Sequence, residues 1–315
     1  MNDDIKEKLK MNIAISKIKK EGETMNKIKK NVLKNVGIAA CITISMSGVV
    51  FAGTIMNKLY TSKSSIKTAL DYNYVQNINM DYEEKNNVGI KIESIIMDDS
   101  NLAIVFSFKL PNKFKDINDL VFQNLIINDE NNNVLFEDGN EKSLSTGYSK
   151  ELSNENNEIK EALIIENFNH TNPRSSKIHI SFSSISLIKK GKNKTITGNW
   201  NYDIDVIDKF VNREKISYKS SESENVKILK ADLTSTGLDL EIQFNSPQNT
   251  ELLINNMFIQ DEMGKQYYIE GGINAINEDT KPIVKASFPI TSFKVLENLK
   301  LIIKTEHEII IDLVK

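Results

Sequence analysis

Two stretches far apart in the chain carry the same alternation of apolar residues: Leu102, Ile104, Phe106 and Phe108 in one, Leu238, Leu240, Ile242 and Phe244 in the other. Successive side chains of a strand point to opposite faces, so this period marks a strand with one face in a core and the other in water. Any fold of this chain must supply a buried side for both copies.

The match extends in both directions. Ile90 and Ile92 precede the first stretch as Val226 and Ile228 precede the second, across polar turns at Asp98-Asp99-Ser100-Asn101 and Thr234-Ser235-Thr236-Gly237. Downstream, Leu125-Ile126-Ile127-Asn128-Asp129-Glu130 resembles Met257-Phe258-Ile259-Gln260-Asp261-Glu262, and Ile178-His179-Ile180 resembles Leu299-Lys300-Leu301. Matches in one order indicate an internal duplication. Each copy closes on an alternating strand: Trp200, Tyr202, Ile204 and Val206, then Ile309, Ile311 and Leu313. Short alternating strands with few prolines favour a mainly β fold: two tandem immunoglobulin-like antiparallel β-sandwich modules, 58–212 and 213–315. The boundary is expected in the polar run Val211–Asn225, which lacks a core pattern, and Asn140–Asn157 reads as a long exposed loop of the first module.

Upstream of both copies, no charge occurs between Asn35 and Asn57. As a helix, Val36–Met56 would reach about 30 Å, the thickness of a bilayer's hydrocarbon core. Residues 1–34 hold ten lysines and five acids, a net +5; with −3 for the whole chain, Lys58 onward carries −8. The positive-inside rule then predicts a cytoplasmic basic helical tail (1–34), a transmembrane helix (35–57) and an extracellular C-terminal region, which places the protein in the cell membrane. Val50-Phe51-Ala52 also fits a signal-peptide cleavage site, and a buried helix of a soluble protein is a third reading. In the tail, Ile5, Leu9 and Ile13 form one stripe and Met11, Ile15 and Ile18 another. This weak amphipathic pattern fits either a basic tail on anionic lipid or a helix docking a cytoplasmic protein. The acidic remainder argues against nucleic acid as a partner, because such binding needs clustered cations.

Residues that carry chemistry are sparse. Cys41, the one cysteine, falls in the apolar stretch, where it reads as a small apolar residue, so no disulfide or thiolate site is expected beyond it. His170, His179 and His307 lack metal-site spacing, and His179 between Ile178 and Ile180 should face outward. The pairs Asp98-Asp99, Asp129-Glu130 and Asp261-Glu262 sit where strands must reverse, which predicts solvated turn carboxylates. Asn128–Asn133 is too short an acidic turn for a calcium loop. Ser181–Ser186 lacks a nucleophile elbow, no phosphate-binding glycine loop occurs, and Trp200 in an alternating strand is expected in the core. No catalytic, cofactor-binding or metal-ligating residue is expected.

The lysine-rich tail and single span resemble the membrane-anchored bacterial proteins of domain-of-unknown-function family 4179, often described as anti-sigma-factor-like. So do Val88-Gly89-Ile90-Lys91-Ile92, Leu102-Ala103-Ile104-Val105-Phe106 and Ile196-Thr197-Gly198-Asn199-Trp200-Asn201-Tyr202-Asp203-Ile204. The second copy resembles the immunoglobulin-like domain of family 5643. The resemblance implies a role in transmembrane signalling without catalysis. The outer region would sense a surface condition or an unidentified extracellular ligand, and residues 1–34 would hold or release an extracytoplasmic-function sigma factor. The alternative is a tethered or secreted binding or structural module with no cytosolic role.

Overall fold

The computed structural model describes residues 63–114, 117–138, 146–155, 158–167, 174–221, 223–245, 253, 255–271, 273–276, 281–294, 296–304 and 308–315. A helix α1 (Ser64–Asp71) comes first, followed by β1 (Gln76–Asn77), β2 (Glu83–Lys85), β3 (Val88–Met97), β4 (Asn101–Lys109), a 3-10 turn at Asn112–Phe114, β5 (Asp119–Gln123) and β6 (Ile126–Asp129). Next come β7 (Val134–Glu137), β8 (Thr146–Glu155), β9 (Glu158–Asn167), β10 (Lys177–Lys189), β11 (Lys192–Asp205) and the single turn α2 (Asp208–Val211). The second half holds β12 (Ile216–Ser217), β13 (Lys219–Ser220), β14 (Val226–Leu233), β15 (Leu238–Phe244), β16 (Met257–Asp261), β17 (Gln266–Tyr268), β18 (Ile273–Ile276), β19 (Ile283–Phe288), β20 (Asn298–Lys304) and β21 (Glu308–Val314). The fold is mainly β, and its sheets are antiparallel.

The duplication read from the alternation is present in the topology. One sheet runs β1-β3-β4-β9-β8 in the first half and β12-β14-β15-β19-β18 in the second. The other runs β11-β10-β6-β7 and, correspondingly, β21-β20-β16-β17, with β13 added outside β21. The first half adds β2 on β3 and β5 on β10. Even an irregularity is shared: the β3/β4 register skips Glu93, and the β14/β15 register skips Leu229 at the matching place. An extra residue in one strand of a pair bends it and increases its twist, so both copies curve at the same point.

Each half encloses its own core, from Ile66 to Phe210 in the first and from Tyr218 to Leu313 in the second. The first is aromatic in the middle, where Phe182 lies 4.8 Å from Phe122, 5.3 Å from Trp200 and 6.3 Å from Phe106. Trp200 is fully buried, as its place in the alternation predicts, and its indole N–H donates to Glu83 O at 3.3 Å. Gly198 makes room for it, because a Cβ there would meet the Trp200 ring at 2.3 Å. The β10/β11 register shifts across this Gly198-Asn199 step. The motif thus combines a bulge, a glycine gap and a large ring in one strand.

Several expectations are overturned. Residues 146–155 of the supposed loop Asn140–Asn157 form β8, which pairs along its whole length with β9. Their polar composition reads as a loop, but an edge strand needs only a backbone partner on one side. The boundary run is not free of core: Tyr218 and Arg213 are buried, and β12 and β13 within it pair with β14 and β21. The alternation is hidden because the chain crosses from one sheet to the other after two residues. Helix α1 was not foreseen; Ile66 and Ala69 are both buried, but one buried stripe over so short a segment gives little periodic signal. The segment Val36–Met56, the tail, Cys41, His170 and His307 lie outside the described residues. Among the described residues, no helix is long and apolar enough to cross a membrane.

Candidate functional site

The structure corrects the reading of the turn carboxylates as solvated for four of the six: Asp98, Asp99, Asp129 and Asp261 are buried, whereas Glu130 and Glu262 are exposed as expected. The physical reason differs between the pairs. Asp129 and Asp261 are equivalent and hold equivalent turns. Each accepts through Oδ1 from the backbone amides two and four residues on, at 2.8 Å and 2.8 Å for Asp129 and 3.0 Å and 2.9 Å for Asp261. A positive φ is supplied by Asn132 (62°) in one turn and Gly264 (82°) in the other. Burial raises the Asp129 carboxyl, but the side chain and amide of Asn133 and the amide of Asn131 outweigh it and hold the pKa below the ordinary value. Tyr267 donates to Asp261 at 2.9 Å, and burial with that bond pushes its phenol up to about 12. These oxygens are satisfied within their turns. Among the described residues, no group of three or more His, Cys, Asp or Glu is placed to hold a metal ion.

Asp98 is buried because the second half packs on it, and Asp99 because Arg213 of the connecting segment covers it. Asp98 Oδ1 accepts from the amides of Ser100 (2.9 Å) and Asn101 (3.0 Å), closing the β3–β4 turn. Its Oδ2 accepts from the amide (2.7 Å) and hydroxyl (2.6 Å) of Thr236, which lies in the matching turn of the other half. Asn101 Nδ2 also donates to Thr236 Oγ1 at 2.7 Å. Asp99 pairs with Arg213, whose Nη1 donates to Phe210 O at 2.7 Å. Ser100 Oγ donates to Asp239, whose carboxyl burial pushes upward against that bond and the charge of Lys230. The two duplicated turns thus face one another and are tied by one carboxylate with four donors.

Helix α1 spans the same junction. Lys63, only 3% exposed, pairs with Glu166 and donates to Asn101 Oδ1 at 3.2 Å. The amides of Ser64 and Ser65, orphan donors of the first helical turn, are capped by Glu270 from the second half. Tyr72 stacks on Phe293 at 4.8 Å, and Phe293 also meets Tyr74 at 5.7 Å. Gly271 has φ +95° and sits so close to Glu166 that a Cβ would lie 2.5 Å from Oε1. Removing one partner from such buried pairs costs about 3–5 kcal/mol, whereas exposed pairs give about 0–1 kcal/mol, so this network and not the surface ion pairs fixes how the halves meet.

The remaining sequence candidates do not converge here. His179 is on the outward side of β10, paired to Asp203 across the strand. Ser183 Oγ donates to Gln123 O at 3.2 Å and buried Ser186 contacts Thr195 at 3.1 Å, bonds between neighbouring strands in which no histidine takes part. The junction residues were missed because turn composition does not reveal that another turn covers it; the one available signal was that both turns occupy matching places in the repeat.

No family model matches the chain. No curated protein matches it either. Among solved structures, the crystal structure of the conserved domain protein from Bacillus anthracis is similar at 15% identity and a TM-score of 0.48, over 77% of this chain and 90% of that one.

Proposed function

We propose that the chain is a single-pass membrane signalling protein of the anti-sigma-factor-like kind. In this reading residues 1–34 are cytoplasmic and engage an extracytoplasmic-function sigma factor, 35–57 cross the bilayer, and the two β halves form an extracellular sensor for an unidentified ligand. The observation that carries it is the uncharged run from Asn35 to Asn57 with +5 on one side and −8 on the other. The position of α1 supports it: the helix begins seven residues beyond that run and is held by groups of both halves, so displacement of the membrane-side segment would act on their junction.

The strand order supports the immunoglobulin-like assignment of the halves. Taken in chain order, β14-β15-β19-β18 reads A-B-E-D and β21-β20-β16-β17 reads G-F-C with an added strand beside C. Stability comes without the usual inter-sheet disulfide, since Cys41 is the sole cysteine.

The test is fractionation of cells with a protease applied from outside. The proposal expects the full-length chain in the membrane fraction and everything beyond residue 57 accessible to the protease. A full-length chain in the cytosol would overturn it. Capture on the 1–34 segment separates signalling from the tethered-module reading, because recovery of a sigma factor is expected only by the former.

A further inference from the structure

The second sheet of each half turns one side to solvent, and there the two copies diverge. In the second half the register aligns Tyr268, Phe258, Ile302 and Ile310 in one row across β17, β16, β20 and β21. These side chains lie opposite the core residues Met257, Ile259, Leu301 and Ile311 of the same strands. Tyr268 and Ile310 at the ends are 53% and 52% exposed. The corresponding row in the first half, by the same register, is Glu137, Ile126, Ser181 and Asn201. Three polar residues out of four in one copy are replaced by apolar ones in the other; Phe258, with the Tyr268 ring and the Lys304 ammonium against it, and Ile302 are buried, while the two ends of the row stay open. None of the four belongs to the core cluster, and exposed Tyr268 and Ile310 flanked by charges give this side the composition of a contact surface.

The flanking charges say what fits. On the same outward side, β20 carries Lys300 and Lys304, and β21 carries Asp312 and Glu308 directly across from them. None of these four forms an ion pair with another described residue. A two-fold axis along the strands, midway between β20 and β21, would lay the lysine strand of one copy over the acidic strand of another. It would also place Ile302 over Ile310. Self-complementarity of this kind is what an isologous contact needs. We propose that this face joins two copies of the chain into a dimer, seated on Ile302 and exposed Ile310 and closed by reciprocal Lys300–Asp312 and Lys304–Glu308 pairs. The dimer does not depend on the signalling reading and would place two α1 helices in one assembly.

Sedimentation of the full-length chain, with detergent mass subtracted where detergent is used, tests it across micromolar concentrations. The unmodified chain is expected at twice the 35.7 kDa of one copy, and Ile310→Glu at once that mass with an unchanged far-ultraviolet dichroism spectrum. The double variants Lys300→Glu/Lys304→Glu and Asp312→Lys/Glu308→Lys are each expected to be monomers, and an equimolar mixture of the two to regain the dimer. A monomeric unmodified chain would overturn the proposal. So would a dimer indifferent to all these changes, or a mixture of the two double variants that stays monomeric.

Discussion

The two halves share strand order, a bulge and a carboxylate-held turn, yet differ in what fills them. The first packs Phe106, Phe122, Phe182 and Trp200 against one another. The second buries mainly Leu and Ile, with Phe244, Phe288, Tyr218 and Tyr267. What is kept is what satisfies the backbone: Asp129 and Asp261 both take the same pair of turn amides. What has drifted is the identity of the core side chains, which cores tolerate when total volume and pattern are kept. Turn carboxylates with buried amide partners have no such freedom, because an unpaired buried amide costs about 1–3 kcal/mol.

The largest expected effect sharpens the contrast between cores. Trp200→Ala should lower stability by about 3–5 kcal/mol, and Ile309→Ala, at the matching place of β21 but only partly buried, by no more than about 2 kcal/mol. Urea midpoints measure both. Equal costs would mean that the copies rest on equivalent packing after all.

Arg213→Met should cost about 3–5 kcal/mol by leaving the Asp99 carboxylate buried without its partner. The loss should show as independent unfolding of the halves, seen by hydrogen exchange at the β3–β4 and β14–β15 turns. A smaller loss, about 1–3 kcal/mol, is expected for Gly271→Ala, since the new methyl meets both a positive φ and the Glu166 carboxylate. Thermal melting reads it, and Gly264→Ala, where no atom lies within 4 Å of the added carbon, provides the control for φ alone.

The smallest effects are those of pH. Burial raises the phenols of Tyr218 and Tyr267 in the folded second half to about 12. A raised folded value means that stability is intact below the ordinary tyrosine pKa, near 10, and falls as pH climbs toward about 12. Asp129, depressed when folded, acts in the other direction: its contribution holds above its ordinary value and is lost as pH falls through the lower folded one. Urea titrations at several pH values, with Tyr267→Phe flattening part of the alkaline limb and Asp129→Asn the acid limb, check both signs.

Much of this architecture was legible in the sequence because alternation records burial directly. The strand containing Leu240, the repeat, the buried Trp200 and the outward His179 follow from period two, whereas the strand containing Phe106 is buried on both sides from Asn101 to Phe108, with Ala103, Val105 and Ser107 as covered as the residues between them. Three features were not legible, each for the same reason. The burial of Asp98 and Asp99 depends on Thr236 and Arg213, more than a hundred residues away; β8 depends on β9 as a backbone partner; and the apolar row from Tyr268 to Ile310 appears only when four strands are set in register. Sequence period reports what one strand buries and is silent on what a neighbouring element brings to it.

Urea unfolding of the unmodified chain, followed by fluorescence of Trp200 and by far-ultraviolet dichroism, tests most directly whether the turn-to-turn junction makes one unit of the two halves. Trp200 is the sole tryptophan and sits in the first core, so its signal reports that half, whereas dichroism reports both. The buried junction predicts coincident single transitions that separate in Arg213→Met. A dichroism transition in the unmodified chain that the tryptophan does not follow would contradict it.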